Sequence, residues 1–507
     1  MSDSTILSLK EKKELFQRLK ANSDTDVITP CQRTDNLPVS YIQEQMINVV
    51  LAGFYDPTEM RLEGPAFSYL VKGAVNVPAL DKAFCEIVRR HEVLRTNYKV
   101  VDTKIFQNIN DAPNSILQVF DLRKLSPDAR EKEKERILNK ISTDSFSFFD
   151  SKLMISATLI TSGDNDHILA VFTHHIATDG LSMMIFQTEL FLLYQAFFFN
   201  TPSPLPELPI QYADFVVWER KNYTRESIEK KLAYWRNILG KINTFLPVDS
   251  LPTAFSYVGD TVPVSLLPEL VKQLLLLARN GNVTLFTVLF SAYTALIHAF
   301  SGYKHNFFSI PVANRVRKET HSIIGCFTNP QYIHVDLDGN PTFMELVERV
   351  NKTLLDVYDN YVPFPFITEV IIPQGSIAGF QLHTSLDLVK PPASTNDAHS
   401  TGNDAPQSTP PEKPMSAVKA KSTAGSLALL PFNVQQPAFA IFPIDVYLSG
   451  TANSVSGRFR YQTGLYERST ILKMANDYVI LLTKLVRNPN MRIQEMGIKS
   501  HPNVKTD

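Results

Sequence analysis

A continuous apolar run, Ile168-Leu169-Ala170-Val171-Phe172, leads through Thr173 into His174-His175-Ile176-Ala177-Thr178-Asp179-Gly180. Leu181 to Phe197 follows, rich in Leu, Met and Phe, with no proline and no further glycine. The apolar run predicts a strand covered on both faces. Gly163-Asp164-Asn165-Asp166 before it is turn chemistry, and Leu153 to Ile160 is a second apolar run, so the two make a hairpin. The stretch from Leu181 to Phe197 predicts a helix buried nearly all round. The segment therefore reads as buried strand, two histidines, tight turn, long helix, and the rest of the chain must be built to cover it.

Adjacent side chains of an extended segment point to opposite faces, so His174 and His175 occupy different environments and at most one faces a substrate. A neutral imidazole there could take a proton from an attacking amine, hydroxyl or thiol, because its pKa lies near working pH. Asp179 sits four residues on, a spacing suited to holding the turn. Gly180 lets backbone approach a reacting group, and its N–H could stabilise an oxyanion. An isolated histidine is usually structural and Asp-Gly is usually a plain turn. The four fixed positions of His-His-x-x-x-Asp-Gly, however, arise by chance only on the order of once per thousand such sequences, which favours the functional reading.

A chain of 507 residues exceeds one ordinary core, so two or more domains are expected. Its 44% hydrophobic and 20% charged residues are those of a globular protein. The net charge of −1 supplies no footprint for nucleic acid or an anionic membrane. Cys31, Cys85 and Cys326 make neither a disulfide framework nor a zinc-ligand pattern, which fits a reducing cytoplasm. The N-terminus is charged rather than a signal peptide, and no apolar run reaches spanning length without polar interruption. The expectation is a cytoplasmic monomer with no metal and no bound cofactor.

Residues 1–36 read as a short amphipathic helix, Leu7 to Lys20, and a polar linker. Residues 37–204 form a first α/β lobe, with a half-buried strand at Phe67, Tyr69 and Val71 and a helix from Leu80 to Arg90 that buries Leu80, Phe84, Ile87 and Val88. Arg90-His91-Glu92 at its end reads as a structural ion-pair network. A second lobe spans 205–490 and repeats the grammar from about Val262. It has helices near Pro268–Ala278, Leu285–Phe300, Phe343–Tyr358 and Ser469–Val486, and strands near Phe307–Val312, Tyr332–Leu337, Phe380–Leu386, Phe442–Leu448 and Ser454–Tyr461. Trp218 is expected to anchor packing, and Leu232 and Trp235 to face inward from a helix. Residues 390–426, rich in Pro, Ser, Thr, Asn and Ala, read as a disordered insertion that cannot offset its ordering entropy by burial. Residues 491–507 are a tail.

Several ordered motifs resemble the condensation domains of nonribosomal peptide synthetases, in the chloramphenicol-acetyltransferase-like superfamily. Besides His174 to Gly180, Arg90-His91-Glu92-Val93-Leu94-Arg95-Thr96 resembles the family's second motif, and Tyr212-Ala213-Asp214-Phe215-Val216-Val217-Trp218 its fourth. Ile310 to Arg315 and Ile324-Gly325-Cys326-Phe327-Thr328-Asn329 resemble the fifth with its approach strand. Ser40, Gln43 and Met46 fit the first loosely. The resemblance implies an α/β fold of two acetyltransferase-like lobes, a V-shaped pseudodimer with a central tunnel. Donor and acceptor carrier proteins would insert phosphopantetheine arms from opposite sides, the donor bearing an acyl or peptidyl thioester and the acceptor an amine. It implies His175 as the catalytic histidine, Asp179 as the residue that holds the motif's shape paired with Arg315 across the lobes, and Gly180 as backbone offered to the thioester, with His174 and Asn329 in support.

The chain departs from the family in its second lobe. Asp359-Asn360-Tyr361-Val362-Pro363-Phe364-Pro365 stands where His-Gln-Asp usually precedes Pro-Phe-Glu. No arginine-rich seventh motif lies between Pro373 and Phe380, and Pro330 follows Asn329 in place of threonine. No nucleotide-binding signature of an adenylation domain and no carrier serine motif are present, so a free-standing enzyme acting in trans is expected. Three alternatives stay open: a coenzyme-A-dependent or ester-forming acyltransferase of the same superfamily, a non-catalytic carrier-binding scaffold, and epimerisation, since epimerisation domains share the histidine motif.

Overall fold

In the computed structural model the described residues are 27–53, 66–144, 146–239, 246–250, 256–371, 384–389, 428–432, 438–450 and 453–498. The helix expected at Leu7–Lys20, the insertion at 390–426 and the end of the tail lie outside them.

The first lobe is laid out by strands β1 (Ala66–Lys72), β2 (Thr96–Val101), β3 (Lys104–Ile109), β4 (Leu117–Asp121), β5 (Ile155–Gly163) and β6 (Asp166–Thr173). The second contains β7 (Val258–Leu266), β8 (His305–Val312), β9 (Asn329–Asp336), β10 (Thr384–Val389), β11 (Ala428–Pro431), β12 (Ala438–Phe439), β13 (Ile444–Gly450) and β14 (Val455–Gln462). They assemble a five-stranded sheet in the order β11-β1-β6-β5-β4 and a seven-stranded sheet in the order β12-β7-β14-β13-β10-β8-β9, with β2-β3 as a separate hairpin. Asp102 and Thr103, both at positive φ, make the two-residue turn of that hairpin, matching the right-handed twist of its strands.

The predicted β5-β6 hairpin is present, and β6 is buried on both faces from His167 to Val171. The helix Val77–Arg90 starts at Asn76, whose side chain accepts from Ala79 N–H, and buries Leu80, Phe84, Ile87 and Val88 as its spacing requires. It packs against the helix Gly180–Phe198. That helix is long and apolar enough to cross a membrane, yet half of it is covered inside the lobe. It is not buried all round: Leu181 and Leu192 are exposed, because only one side faces the sheet and the neighbouring helix.

In the second lobe the helix Leu285–Ser301 is the central element. Thr284 caps its start, Gly302 ends it in the left-handed conformation, and most of its residues are buried. The helices Pro268–Asn280, Phe343–Asp359 and Arg468–Arg487 surround it. Trp235 and Leu232 point inward as expected, and Trp235 Nε1 donates to the Asn360 carbonyl at 2.9 Å. Trp218 is only half-buried, stacked on Phe215 with the Arg317 guanidinium 4.9 Å over its ring, so the packing anchor is Trp235.

The lobes exchange parts across the division read at 204/205. β11 joins the first sheet as the antiparallel neighbour of β1. Tyr212, Phe215 and Val216, with Ile323, Ile324 and Phe327, lie in the first lobe's core. Among the elements that escaped the sequence reading are β4, β11, the charged helix Pro127–Thr143 and the helix Phe364–Ile371.

Candidate active site

The turn between β6 and the helix Gly180–Phe198 is held from within. Ala177 N–H donates to the His174 carbonyl at 3.0 Å, and Thr178 Oγ1 lies 2.7 Å from Thr173 Oγ1. The two histidines take different environments, as expected, although β6 ends at Thr173 and His175 already lies in the turn. His174 is buried against Phe148 and Phe146, and its Nδ1 accepts from Ile176 N–H at 3.0 Å. Burial, reinforced by the neighbouring His175, pushes its pKa down to about 3, so it is neutral at any working pH. His175 is half-buried, and its Nδ1 lies 2.7 Å from the Thr178 carbonyl oxygen. A carbonyl only accepts, so Nδ1 carries the proton and Nε2 carries the lone pair.

Asp179 closes the turn and is itself buried. Its Oδ1 accepts from Ser182 N–H at 2.8 Å, which caps the helix, and from Arg315 Nη2 at 3.1 Å; its Oδ2 accepts from Phe327 N–H at 3.0 Å. The Ser182 hydroxyl lies 2.8 Å from both Asp179 Oδ1 and the Gly325 carbonyl, and accepts from Gly325 N–H (3.1 Å) and Arg315 Nη2 (2.8 Å). Arg315 also donates through Nη1 to the carbonyls of Thr320 (2.5 Å) and Ile323 (2.7 Å), and its guanidinium stacks 4.0 Å over Phe327. The pairing of Asp179 with Arg315 is therefore present, as one edge of a larger network.

Gly180 opens the helix at the surface. A Cβ there would meet nothing within 4 Å, so the ground above its backbone is open. Gly325 is the opposite case: a Cβ would lie 2.1 Å from the Tyr212 ring, so only glycine admits that close approach. Tyr212 OH donates to the Cys326 carbonyl at 2.6 Å and lies 3.0 Å from Ser40 Oγ. Gln43 Nε2 donates to the Ile176 carbonyl (3.0 Å) and to Tyr98 OH (2.9 Å). Cys326 Sγ sits 3.8 Å from His175 Nδ1. The histidine motif and the first, fourth and fifth motifs thus converge on one turn.

The second motif supports it from behind. Arg90 Nε and Nη2 lie 3.2 Å from the two oxygens of Glu189, and His91 Nε2 lies 3.0 Å from Glu189 Oε2. His91 Nδ1 accepts from Ile324 N–H at 3.2 Å, joining this pair to the Arg315 loop. Burial raises the Glu189 carboxyl, but the bonds and charges from His91 and Arg90 outweigh it and hold it below its ordinary value. Asn329 serves elsewhere. Its Oδ1 accepts from Phe364 N–H at 2.9 Å and Gln331 Nε2 at 3.3 Å, which pins the helix Phe364–Ile371 to β9. Sequence reasoning overlooked Ser182, which reads as helix filler, and Glu189, which is the one acidic residue in an apolar helix.

The sequence profile of the condensation domain matches residues 65–503. The chain belongs to the condensation-domain family. It is 30% identical over 497 residues to one of the linear gramicidin synthase proteins of Brevibacillus parabrevis, covering 96% of this chain and 9% of that protein. With chondramide synthase of Chondromyces crocatus it shares 29% identity over 485 residues, 92% of this chain and 11% of the synthase. The chain thus spans about a tenth of the length of these relatives. Among solved structures, the X-domain from teicoplanin biosynthesis superposes with a TM-score of 0.76 at 20% identity, covering 92% of this chain and 99% of that one. The first condensation domain of the calcium-dependent antibiotic synthetase superposes with a TM-score of 0.69 at 16% identity, covering 92% and 100%. The two-lobed α/β architecture is the fold of these domains.

Proposed function

We propose that the protein forms an amide bond, transferring an acyl or peptidyl group from a donor carrier-protein thioester to the amine of an acceptor carried by a second carrier protein. The observation that carries this reading is the tautomer of His175: Nδ1–H is committed to the Thr178 carbonyl, which leaves Nε2 as the base. The acceptor nitrogen attacks the thioester carbonyl, forming the C–N bond as the C–S bond breaks. His175 Nε2 takes the amine proton and returns it to the departing thiolate of the phosphopantetheine arm. Gly180, with open space over its backbone, is where the carbonyl oxygen can approach an N–H at a helix N-terminus. Asp179 and Arg315 act as positioning residues, since both Asp179 oxygens and both terminal Arg315 nitrogens are engaged by each other, Ser182, Phe327 and the loop from Thr320 to Ile323.

Intact-protein mass spectrometry tests the substrate class, with an acyl-loaded donor carrier and an aminoacyl-loaded acceptor carrier on one side and acyl-coenzyme A with a soluble amine or alcohol on the other. Product mass on the acceptor carrier supports condensation. Turnover confined to acyl-coenzyme A would replace this reading by that of a soluble-substrate acyltransferase.

A second reading, a carrier- or partner-binding scaffold, is favoured by the altered segment Asp359–Pro365 and by the TM-score of 0.76 to the teicoplanin X-domain, a domain also solved in complex with OxyB. Carrier binding without transfer, unchanged in His175→Ala, would favour it.

A further inference from the structure

β8 and β9 are joined by the loop 313–328, which supplies Arg315, Gly325 and Phe327 to the histidine turn. The other end of this strand pair is the edge of the second sheet, and side chains with ligand chemistry meet there. His305 opens β8 directly opposite Asp336 in β9, and His334, two residues earlier on the same face, stacks beside His305. His334 Nε2 lies 3.3 Å from His305 Nδ1, and Asp336 Oδ1 lies 3.7 Å from that same nitrogen.

We propose that this end of the hairpin binds a divalent transition-metal ion of the zinc type through His305 Nδ1, His334 Nε2 and Asp336 Oδ1. Bonds of about 2.0–2.2 Å in tetrahedral geometry place neighbouring ligand atoms roughly 3.3–3.5 Å apart, against 3.3 Å between the two imidazole nitrogens and 3.7 Å from His305 Nδ1 to Asp336 Oδ1. The ligand atoms of His305, Asp336 and Asp338 all lie within 4.8 Å of one another. One imidazole gives one nitrogen to an ion, so Asp338 takes a different part. Its Oδ2 lies 3.6 Å from His305 Nε2, just beyond hydrogen-bond distance, so the turn of the ring that brings Nδ1 to the ion must also close this contact for Asp338 to orient the imidazole through its second nitrogen. The turn is held for this role: Asp338 N–H donates to Asp336 Oδ1 at 2.7 Å, and Arg349 Nη1 donates to the carbonyls of Asp336 and Asp338 at 2.8 and 3.0 Å. The two imidazole planes are 24° apart, so one ring must turn about its Cβ–Cγ bond to bring both lone pairs onto one ion, and exposed His305 has room to do so. An ion here would clasp the open end of the hairpin whose loop holds the histidine turn.

Isothermal titration of the full chain with ZnCl2 in chelator-stripped buffer tests the site, with MgCl2 as control and the unfolding temperature as a second readout. The wild type is expected to show one saturable zinc site and a raised unfolding temperature. His305→Ala and His334→Ala should each weaken binding by at least about 100-fold, and Asp338→Asn by about 10-fold, the lower end for a group that orients a ligand. Circular dichroism checks that each variant folds. Absence of saturable binding, or wild-type affinity in both histidine variants (zinc taken by the cysteines or by the histidine turn), would overturn the proposal.

Discussion

Asp179→Ala and Arg315→Ala, alone and together, probe the link between the lobes. Their side chains are 1% and 6% exposed and 3.1 Å apart. Removing Asp179 strips the cap from the helix Gly180–Phe198, worth about 1 kcal/mol. It also leaves the Arg315 charge buried without its partner, at a cost of about 3–5 kcal/mol. Removing Arg315 abandons Asp179 in the same way and forfeits the Phe327 stacking, worth about 0.5–1 kcal/mol. The double variant should fall short of the sum by roughly 2–3 kcal/mol, since the second truncation finds the pair already broken. Urea unfolding followed by tryptophan fluorescence reads this, because Trp218 stacks on Phe215, itself in contact with Phe327. If the single-variant losses add to within about 0.5 kcal/mol, the two residues are not coupled and the positioning role assigned to them fails.

Gly180→Ala should fold as well as the wild type, or be stabilised by up to about 1 kcal/mol, because the added Cβ meets open space and the glycine φ is not positive. Its turnover should nevertheless drop, since the methyl stands where the thioester approaches; unchanged turnover at saturating carrier would remove Gly180 from the site. His174→Asn keeps an acceptor for Ile176 N–H but removes a group whose folded pKa, about 3, lies below its unfolded value. The unfolded chain therefore binds the extra proton, and His174 contributes stability above about pH 6.5 that is lost as pH falls toward 3, by at most about 1.4 kcal/mol per unit. The variant should show a flatter acid limb in unfolding scans, and an acid limb as steep as wild type contradicts the burial argument. Glu219 has the opposite sign. Burial raises its carboxyl to about 7, outweighing the Tyr41 N–H bond and the Arg220 charge, so its stability contribution is present below its unfolded value and lost as pH rises through 7. Glu219→Gln should gain stability relative to wild type between about pH 5 and pH 8, and a difference independent of pH would refute this.

What was legible in the sequence was local. The β5-β6 hairpin, the opposed histidines and the helix behind them follow from periodicity and turn residues within one stretch. The partner of Asp179 lies 136 residues away, and no spacing rule reaches it; the pairing follows only from the resemblance of the fifth motif. Ser182 escapes notice because a serine in a first helical turn is commonplace, and only the fold brings Gly325 and Arg315 to its hydroxyl. Asn329 is drawn toward the site by its neighbours in the motif, whereas its side chain is engaged by Phe364. Pro127–Thr143 is hard to see because its charged surface leaves a narrow apolar stripe, with Ile137 and Ile141 its buried members. β11 could not be placed at all from sequence, since a four-residue strand acquires its meaning only beside β1.

The central claim is that His175 Nε2 is the base. Single-turnover transfer from an acyl-loaded donor carrier to an aminoacyl-loaded acceptor carrier, compared between wild type and His175→Ala by intact-protein mass spectrometry, tests it most directly. The account predicts product with the wild type and a loss of about 100-fold or more in the variant, with carrier binding retained. Equal transfer by both proteins would contradict it.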